Sequence, residues 1–329
     1  MSPEGLLQRL ADGKSHSGVD LARDFGVTRA AVWKQIAKLE AWGIEVHAHP
    51  GQGYRLDRAV DLLDAAALSA AADTHLRARV RRIELFTELP STNRHLLECE
   101  RPEPGRLDVC LAEYQTAGRG RRGRVWRVPL GAGLCLSAGW QFEETPPALP
   151  ALTLAVGVVA RRVVAAITGV ELALKWPNDL VHGDQKLGGI LVELSAEAQG
   201  GCHVVAGVGI NVAVPEPVLA TLSDWERGAT DLARATGGRP PSRTELALAL
   251  VAAFADLFAS YAATGFGAYR DEWRRADYLN GRPVRLDDAS GSAFGVAAGI
   301  EPDGALLVDM AAGERRRVIS GDVSVRTPP

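Results

Sequence analysis

The chain's densest chemistry lies in Gly118-Arg-Gly-Arg-Arg-Gly-Arg124, four arginines and three glycines in seven residues. Guanidinium groups donate paired hydrogen bonds to phosphate oxygens and stay charged where water is excluded. The glycines between them leave the backbone free to fold over a ligand. The segment predicts a loop that closes over a small polyanion. Gly118-x-Gly120-x-x-Gly123 also matches a dinucleotide-binding fingerprint, but that motif needs a helix to begin there. Pro129, Gly131 and Gly133 follow instead, and then a strand-like run, so the fingerprint is rejected. An exposed basic loop for RNA and a protease-sensitive linker are the other readings of the same residues.

Three further motifs carry polar groups into apolar surroundings. Lys175-Trp-Pro-Asn-Asp179 breaks a strand, because Pro177 cannot continue a central ladder. Lys186-Leu-Gly-Gly-Ile190 then opens the next strand with a lysine, and Gly188 and Gly189 allow a close approach to it. A lysine at a strand mouth beside an Asn-Asp turn suits a carboxylate or a phosphate. Gly207-Val-Gly-Ile-Asn211 places an amide within an apolar strand, where it needs partners. No metal-ligand set emerges. His47 and His49 form the close histidine pair, with no third ligand in sight, and Cys99, Cys110, Cys135 and Cys202 are scattered. Reduced, mostly buried thiols of a cytoplasmic protein fit that spacing.

Three textures position these motifs. Residues 1–62 read as helix, helix, helix and hairpin, with Thr28 capping a helix from Arg29 to Trp42 and Pro50-Gly-Gln-Gly as the hairpin turn. That spacing is a helix-turn-helix with a wing. Arg29, Lys34, Gln35 and Lys38 on its second helix suit phosphate or base contact, and a protein-interaction module is the rival reading. An Ala- and Leu-rich stretch from Ala59 to about Ala78 predicts a linking helix, within a linker of residues 63–82. Residues 83–277 alternate strands and helices. Strands are expected at Val109–Glu113, Gly133–Phe142, Leu172–Lys175, Lys186–Leu194 and His203–Val208, and helices at Pro150–Thr168, Ser242–Ala263 and Ala268–Ala276. Residues 278–329 read as short strands between turn residues, a small β-barrel.

Composition sets outer limits. With 47% hydrophobic and 23% charged residues, global disorder is excluded. A net charge of −3 argues against wholesale coating of nucleic acid but leaves room for one small DNA-binding module. The apolar runs Leu152–Ala160 and Leu246–Ala255 stop at charges, short of a membrane helix, and the N-terminus lacks a secretory pattern.

These motifs, over essentially the whole chain, resemble the bifunctional biotin–protein ligases that double as biotin operon repressors. The resemblance rests on Ser17-Gly-Val-Asp-Leu, Thr28-Arg-Ala-Ala-Val and Pro50-Gly-Gln-Gly-Tyr at the N-terminus. It continues through Ser91-Thr-Asn93, Ala112 to Arg124, Lys175 to Asp179, Lys186 to Ile190 and Gly207 to Asn211. It implies an α+β multidomain fold: a winged helix-turn-helix, a central α/β domain like the class II aminoacyl-tRNA synthetases, and a C-terminal SH3-like barrel. It implies that Ser91, Thr92, Asn93 and Gln115 line a biotin pocket, and that Arg119, Gly120 and Arg121 close over biotin and phosphate. Lys186 would contact the reacting carboxylate and α-phosphate, with Arg119 and Arg121 as its catalytic companions. Arg121, Arg122, Arg124, Asp179 and Asn211 would line the ATP side, and Trp225 would stack on adenine. Thr28, Arg29, Lys34, Gln35 and Lys38 would meet DNA. The implied reactants are biotin and ATP with Mg²⁺, and the implied partners a biotin carboxyl carrier protein, biotin operator DNA and a second copy of the chain, in the cytoplasm and off the membrane. A lipoate–protein ligase and a ligand-sensing repressor without ligase activity are the alternatives.

Overall fold

Three side-chain caps start the first three helices. Ser2, Ser17 and Thr28 each accept from a backbone amide two or three residues ahead, at 3.2 Å, satisfying donors that a first helical turn leaves open. The helices are α1 (Pro3–Leu10), α2 (Gly18–Asp24) and α3 (Arg29–Ala41). Leu6, Leu10, Leu21, Val32 and Leu39 close a small core between them. The hairpin of β1 (Val46–His49) and β2 (Gly53–Leu56) completes the winged helix. Gly53 sits at φ 98°, and a Cβ there would lie 2.0 Å from the His16 carbonyl oxygen, so the wing closes only on glycine. The computed structural model describes residues 2–49, 51–73, 76–196, 201–222, 228–288, 291–311, 313–319 and 322–325.

The linker departs from expectation. Helix α4 spans Ala65–Asp73, not Ala59 to Ala78. The Asp64 carboxylate accepts from the Ala66 and Ala67 amides and starts the helix there. Residues 59–63 use their backbone elsewhere: the Val60 amide donates to the Ala11 carbonyl at 2.9 Å, and the Leu63 amide to Glu113 at 2.6 Å. Tertiary partners overrode the helical composition. The next strand, β3, already begins at Val80.

The central region follows as β3 (Val80–Leu89), α5 (Thr92–Glu98), β4 (Leu107–Gln115), β5 (Gly133–Phe142), α6 (Leu152–Thr168), β6 (Ala173–Lys175), β7 (Asp179–His182), β8 (Gln185–Ala196) and β9 (Cys202–Asn211). Then come α7 (Glu216–Leu219), α8 (Leu232–Ala235), α9 (Arg243–Thr264) and α10 (Gly267–Ala276). The sheet order is β3-β4-β5-β9-β8-β7-β6. The β3–β4 pair is parallel and the other neighbours are antiparallel. Alternation along β4 separates two faces. Val109 and Leu111 join the main core with α6 and α9, whereas Cys110 and Ala112 pack with Leu96 of α5 and Val205 of β9. Burial on both faces makes these strands read as unbroken apolar runs. The sequence reading missed β3, α5 and β7, which are either amphipathic on a sheet edge or too short to show a period.

The C-terminal segment is a five-stranded antiparallel sheet, β10 (Pro283–Asp288), β11 (Gly291–Ile300), β12 (Leu306–Met310), β13 (Arg315–Val318) and β14 (Asp322–Val325), ordered β13-β12-β11-β10-β14. Trp176 Nε1 donates to the Gly304 carbonyl at 2.9 Å and docks this sheet on the central region. The apolar runs also need correction. Leu149–Thr168 and Arg243–Thr264 are long and apolar enough to cross a membrane by length and composition, because isolated charges such as Asp256 do not end them. They are core helices here: α6 buries ten residues and α9 another ten, most of them apolar.

At the junction with the C-terminal sheet, Asp277 accepts from the Leu279 amide at 2.9 Å. Burial pushes its carboxyl up to about 6, against those local amides. A raised folded-state value favours the neutral acid, so its contribution to stability is complete below the unfolded value and is lost as pH rises through about 6. Asp277→Asn keeps the acceptor and removes the charge. Thermal melts should show the variant more stable than the parent near about pH 8, by on the order of 2–3 kcal/mol, with the gain vanishing below about pH 4.

Candidate functional site

Ser91 caps α5, accepting from the Arg94 amide at 3.5 Å, and so turns Thr92 and Asn93 in towards β5. Thr92 donates its amide (2.8 Å) and its hydroxyl (3.2 Å) to Gln115 Oε1. Ser137 Oγ, inside the buried strand β5, lies 2.6 Å from both Thr92 Oγ1 and Asn93 Oδ1, and its single proton serves one of them at a time. Asn93 Nδ2 donates to the Leu191 carbonyl and to Glu193 Oε2, both at 3.0 Å. A Cβ at Gly207 would lie 2.1 Å from Asn93 Oδ1, so this glycine makes room for the amide. Thr92, Asn93, Gln115 and Ser137 therefore form one connected polar floor, with Ser91 at its edge as the cap of α5; Ser91, Thr92, Asn93 and Ser137 are buried.

The arginine segment folds back on itself. The Gly120 amide donates to the Arg124 carbonyl at 2.7 Å and the Trp126 amide to the Gly118 carbonyl at 2.9 Å. Between them Arg121–Gly123 make a single tight turn, with Arg122 at φ 54°, a region L side chains rarely adopt. No α-helix follows, which agrees with rejection of the dinucleotide fingerprint. The loop borders a cavity of about 630 Å³ whose other wall is Ile190–Glu193 of β8 and Thr153 of α6. Arg119 pairs with Glu193 at 3.0 Å. The chain of contacts Arg119–Glu193–Asn93 thus joins the loop to the polar floor.

Lys186 sits at the other end of β8, its Nζ 2.6 Å from Asp179 Oδ1, while Lys175 Nζ lies 3.7 Å from Oδ2. Burial alone would raise the Asp179 carboxyl. Lys186 and Lys175, with a smaller share from Arg124, outweigh it and hold the group below the usual carboxylate range. Backbone bonds on both sides fix Lys186: its amide donates to Gly228 at 3.2 Å and its carbonyl accepts from Thr230 at 2.9 Å. The Asn211 amide donates to the Thr230 carbonyl at 2.9 Å, closing the same end of the sheet. Trp225 lies outside the described residues. Arg121, Arg122 and Arg124 line the cavity with Arg119, and Lys175 and Lys186 flank Asp179 beyond it. Cations outnumber the carboxylates of Asp179 and Glu193, so the site fits an anion.

One buried charge pair frames all of this. Arg243, 1% exposed, pairs with Glu113 at 2.7 Å. It also donates to the Gly133 carbonyl (2.9 Å) and the Asp61 carbonyl (2.6 Å). The residues expected to meet DNA lie farther off. Thr28 spends its hydroxyl on the helix cap, while Arg29, Lys34 and Lys38 are exposed on α3 and Gln35 is half-buried. Trp33 stands 66% exposed beside them. The winged helix leans on the loop's exit: the Leu130 amide donates to the Trp42 carbonyl at 3.1 Å, Trp42 Nε1 donates to Glu88, and Arg58 donates to the Ala213 carbonyl.

Sequence reasoning missed Ser137, Glu193 and the Arg243–Glu113 pair as members of the site. Ser137 was findable as a lone hydroxyl in an apolar strand, and Glu193 as the acidic end of the Lys186 motif. Nothing local pairs Arg243 with a carboxylate on β4.

Comparison with known proteins agrees with this geometry. The chain matches the biotin/lipoate A/B protein ligase family over residues 85–211, an HTH domain over 4–55 and a biotin protein ligase C-terminal domain over 280–326. It is 36% identical to the bifunctional ligase/repressor BirA of Salmonella typhimurium, covering 99% of this chain and 98% of that one. Identity to the Escherichia coli protein of the same name is 35%, over 99% and 97%. A solved biotin protein ligase of Aquifex aeolicus, in complex with biotin and ATP, aligns with a TM-score of 0.61 at 26% identity, covering 75% of this chain and 100% of that chain.

Arg243→Ala would leave Glu113 buried without its counter-charge. Chemical denaturation should show a loss of about 3–5 kcal/mol, and adding Glu113→Gln should recover part of it. Equal losses in the single and double variants would mean that the pair does not frame the site.

Proposed function

The chain belongs to the family of bifunctional biotin ligase/repressors, and on that premise we propose how its site works. It is a biotin–protein ligase with a helix-turn-helix repressor domain. Thr92, Asn93 and Gln115 of the polar floor, with Ser91 at its edge, receive the biotin ring, whose ureido group needs both donors and acceptors. The biotin carboxylate, held by Lys186, attacks the α-phosphorus of ATP. An oxygen–phosphorus bond forms, the bond to the β-phosphate oxygen breaks, and pyrophosphate leaves. Negative charge grows on the phosphate oxygens, and Lys186, Arg119 and Arg121 offset it. Arg122, Arg124, Asp179 and Asn211 line the nucleotide side.

A lysine amine of a biotin carboxyl carrier protein then attacks the carbonyl of biotinyl-5′-AMP, forming the amide and releasing AMP and a proton. Closure of the arginine loop keeps water from the anhydride. Mg²⁺ brought with ATP would supply charge neutralisation to the phosphates. Asp179, already held by two lysines, is a poor oxygen ligand for it. The observation that carries this reading is the Lys186–Asp179 pair beside an arginine-lined cavity. An arriving phosphate or carboxylate competes with Asp179 for a lysine already in place.

The repressor half uses α3. One recognition helix reads few base pairs, so a homodimer on a two-fold operator is required, and cytoplasmic DNA would be its target. Loop closure over the adenylate favours that dimer.

Incubation with ATP-Mg and a biotin carboxyl carrier domain, with biotin or lipoate in parallel, tests the ligase. The carrier should gain one biotinyl group by mass, and lipoate should not be taken up. Preferred uptake of lipoate would overturn the substrate assignment. Lys186→Ala should slow pyrophosphate release by a factor corresponding to about 2–4 kcal/mol, with the fold retained but some thermal stability lost, because buried Asp179 keeps only the more distant Lys175.

Gel shifts on biotin-synthesis promoters test the repressor. Binding should need biotin and ATP together and fall steeply with salt, as counterions leave with contacts from Arg29, Lys34 and Lys38. No shift under any condition would exclude a repressor role at those promoters.

A further inference from the structure

We propose that Glu84, His95 and Cys99 form a binding site for a thiophilic divalent cation, with zinc the best fit. The three come from two elements and are none of the residues of the polar floor. Glu84 lies on the edge strand β3, and His95 and Cys99 are one helical turn apart at the end of α5. One donor atom from each lies within 4.8 Å of the others. His95 Nε2 is 3.1 Å from Glu84 Oε2 and 3.5 Å from Cys99 Sγ. Zinc bonds of about 2.0–2.1 Å to nitrogen or oxygen and about 2.3 Å to sulfur, at tetrahedral angles, place nitrogen about 3.3 Å from oxygen and about 3.5 Å from sulfur. The ligand-free donors therefore already stand near two edges of a zinc tetrahedron.

The surroundings hold that arrangement. The Cys99 amide donates to the His95 carbonyl at 3.0 Å, which fixes the turn between the ligands. The Phe86 ring meets the His95 imidazole edge-on, with centroids 4.8 Å apart. Arg82 Nε lies 3.4 Å from Glu84 Oε2, but it donates to Asp108 at 3.1 Å, so the guanidinium is chiefly engaged elsewhere. All three ligands are half-buried: partly shielded from bulk water yet reachable by an ion. A thiolate, an imidazole and a carboxylate select zinc over magnesium, which demands an oxygen octahedron. Binding exchanges the Cys99 thiol proton for the metal. Because α5 begins with Thr92 and Asn93, a metal at its far end would tie the helix of the polar floor to β3.

Titration of the full-length protein with Co²⁺, a spectroscopic stand-in for zinc, tests the site. One equivalent should produce a thiolate-to-cobalt charge-transfer band together with the visible bands of a tetrahedral ion, and Zn²⁺ should displace both. Cys99→Ser should abolish the charge-transfer band. His95→Asn and Glu84→Gln should each weaken binding by at least about tenfold. Absence of the band in the parent protein, its survival in Cys99→Ser, or its loss only in Cys110→Ala would overturn the proposal.

Discussion

A buried guanidinium at the start of a helix is the constraint around which this catalytic domain is arranged. Arg243 is the first residue of α9, where the helix dipole already presents positive charge. It is also shut away from water, so its charge must be met within the protein. Glu113 meets it from the end of β4, and the carbonyls of Gly133 and Asp61 take further donors. The second oxygen of Glu113 accepts the Leu63 amide. One ion pair thereby pins the linker, two strands and the long core helix to a single point.

That point lies at both stems of the arginine loop. The chain leaves β4 at Gln115 and returns to β5 at Gly133. With its stems fixed, the excursion between them can be rich in glycine and arginine without loosening the sheet. The same anchor holds the linker from the winged helix, whose Trp42 accepts from Leu130 on the loop's return path. The arginine loop and the domain that carries α3 are thus joined through packed, hydrogen-bonded contacts. A shift in one arrangement has a physical route to the other.

Much of this was legible beforehand, for identifiable reasons. The winged helix announced itself through Thr28, which caps α3 as expected. The helix expected from Ser242 is α9, and that serine accepts from the Glu245 amide at 3.4 Å. Gly188 was read as room for a ligand, but a Cβ there would lie 2.5 Å from the Gly209 carbonyl oxygen, so it makes room for the protein itself. Gly207 accommodates Asn93, and a Cβ at Gly209 would lie 2.5 Å from the Trp126 indole. The linker helix was overdrawn because composition cannot see that Asp64 caps or that residues 59–63 bond to distant partners. Ser137, Glu193 and the Glu84–His95–Cys99 cluster escaped because their partners lie on other elements, and no spacing along one segment encodes them.

The central claim is that this site activates a carboxylate at the α-phosphorus and passes it on as a mixed anhydride. Biotin carrying a heavy oxygen isotope in its carboxylate tests it most directly. One complete turnover with ATP-Mg and the carrier domain should yield AMP bearing one labelled oxygen and unlabelled pyrophosphate, because the bridging oxygen stays with phosphorus when the amine attacks the carbonyl. Label in pyrophosphate or inorganic phosphate, with AMP unlabelled, would contradict it.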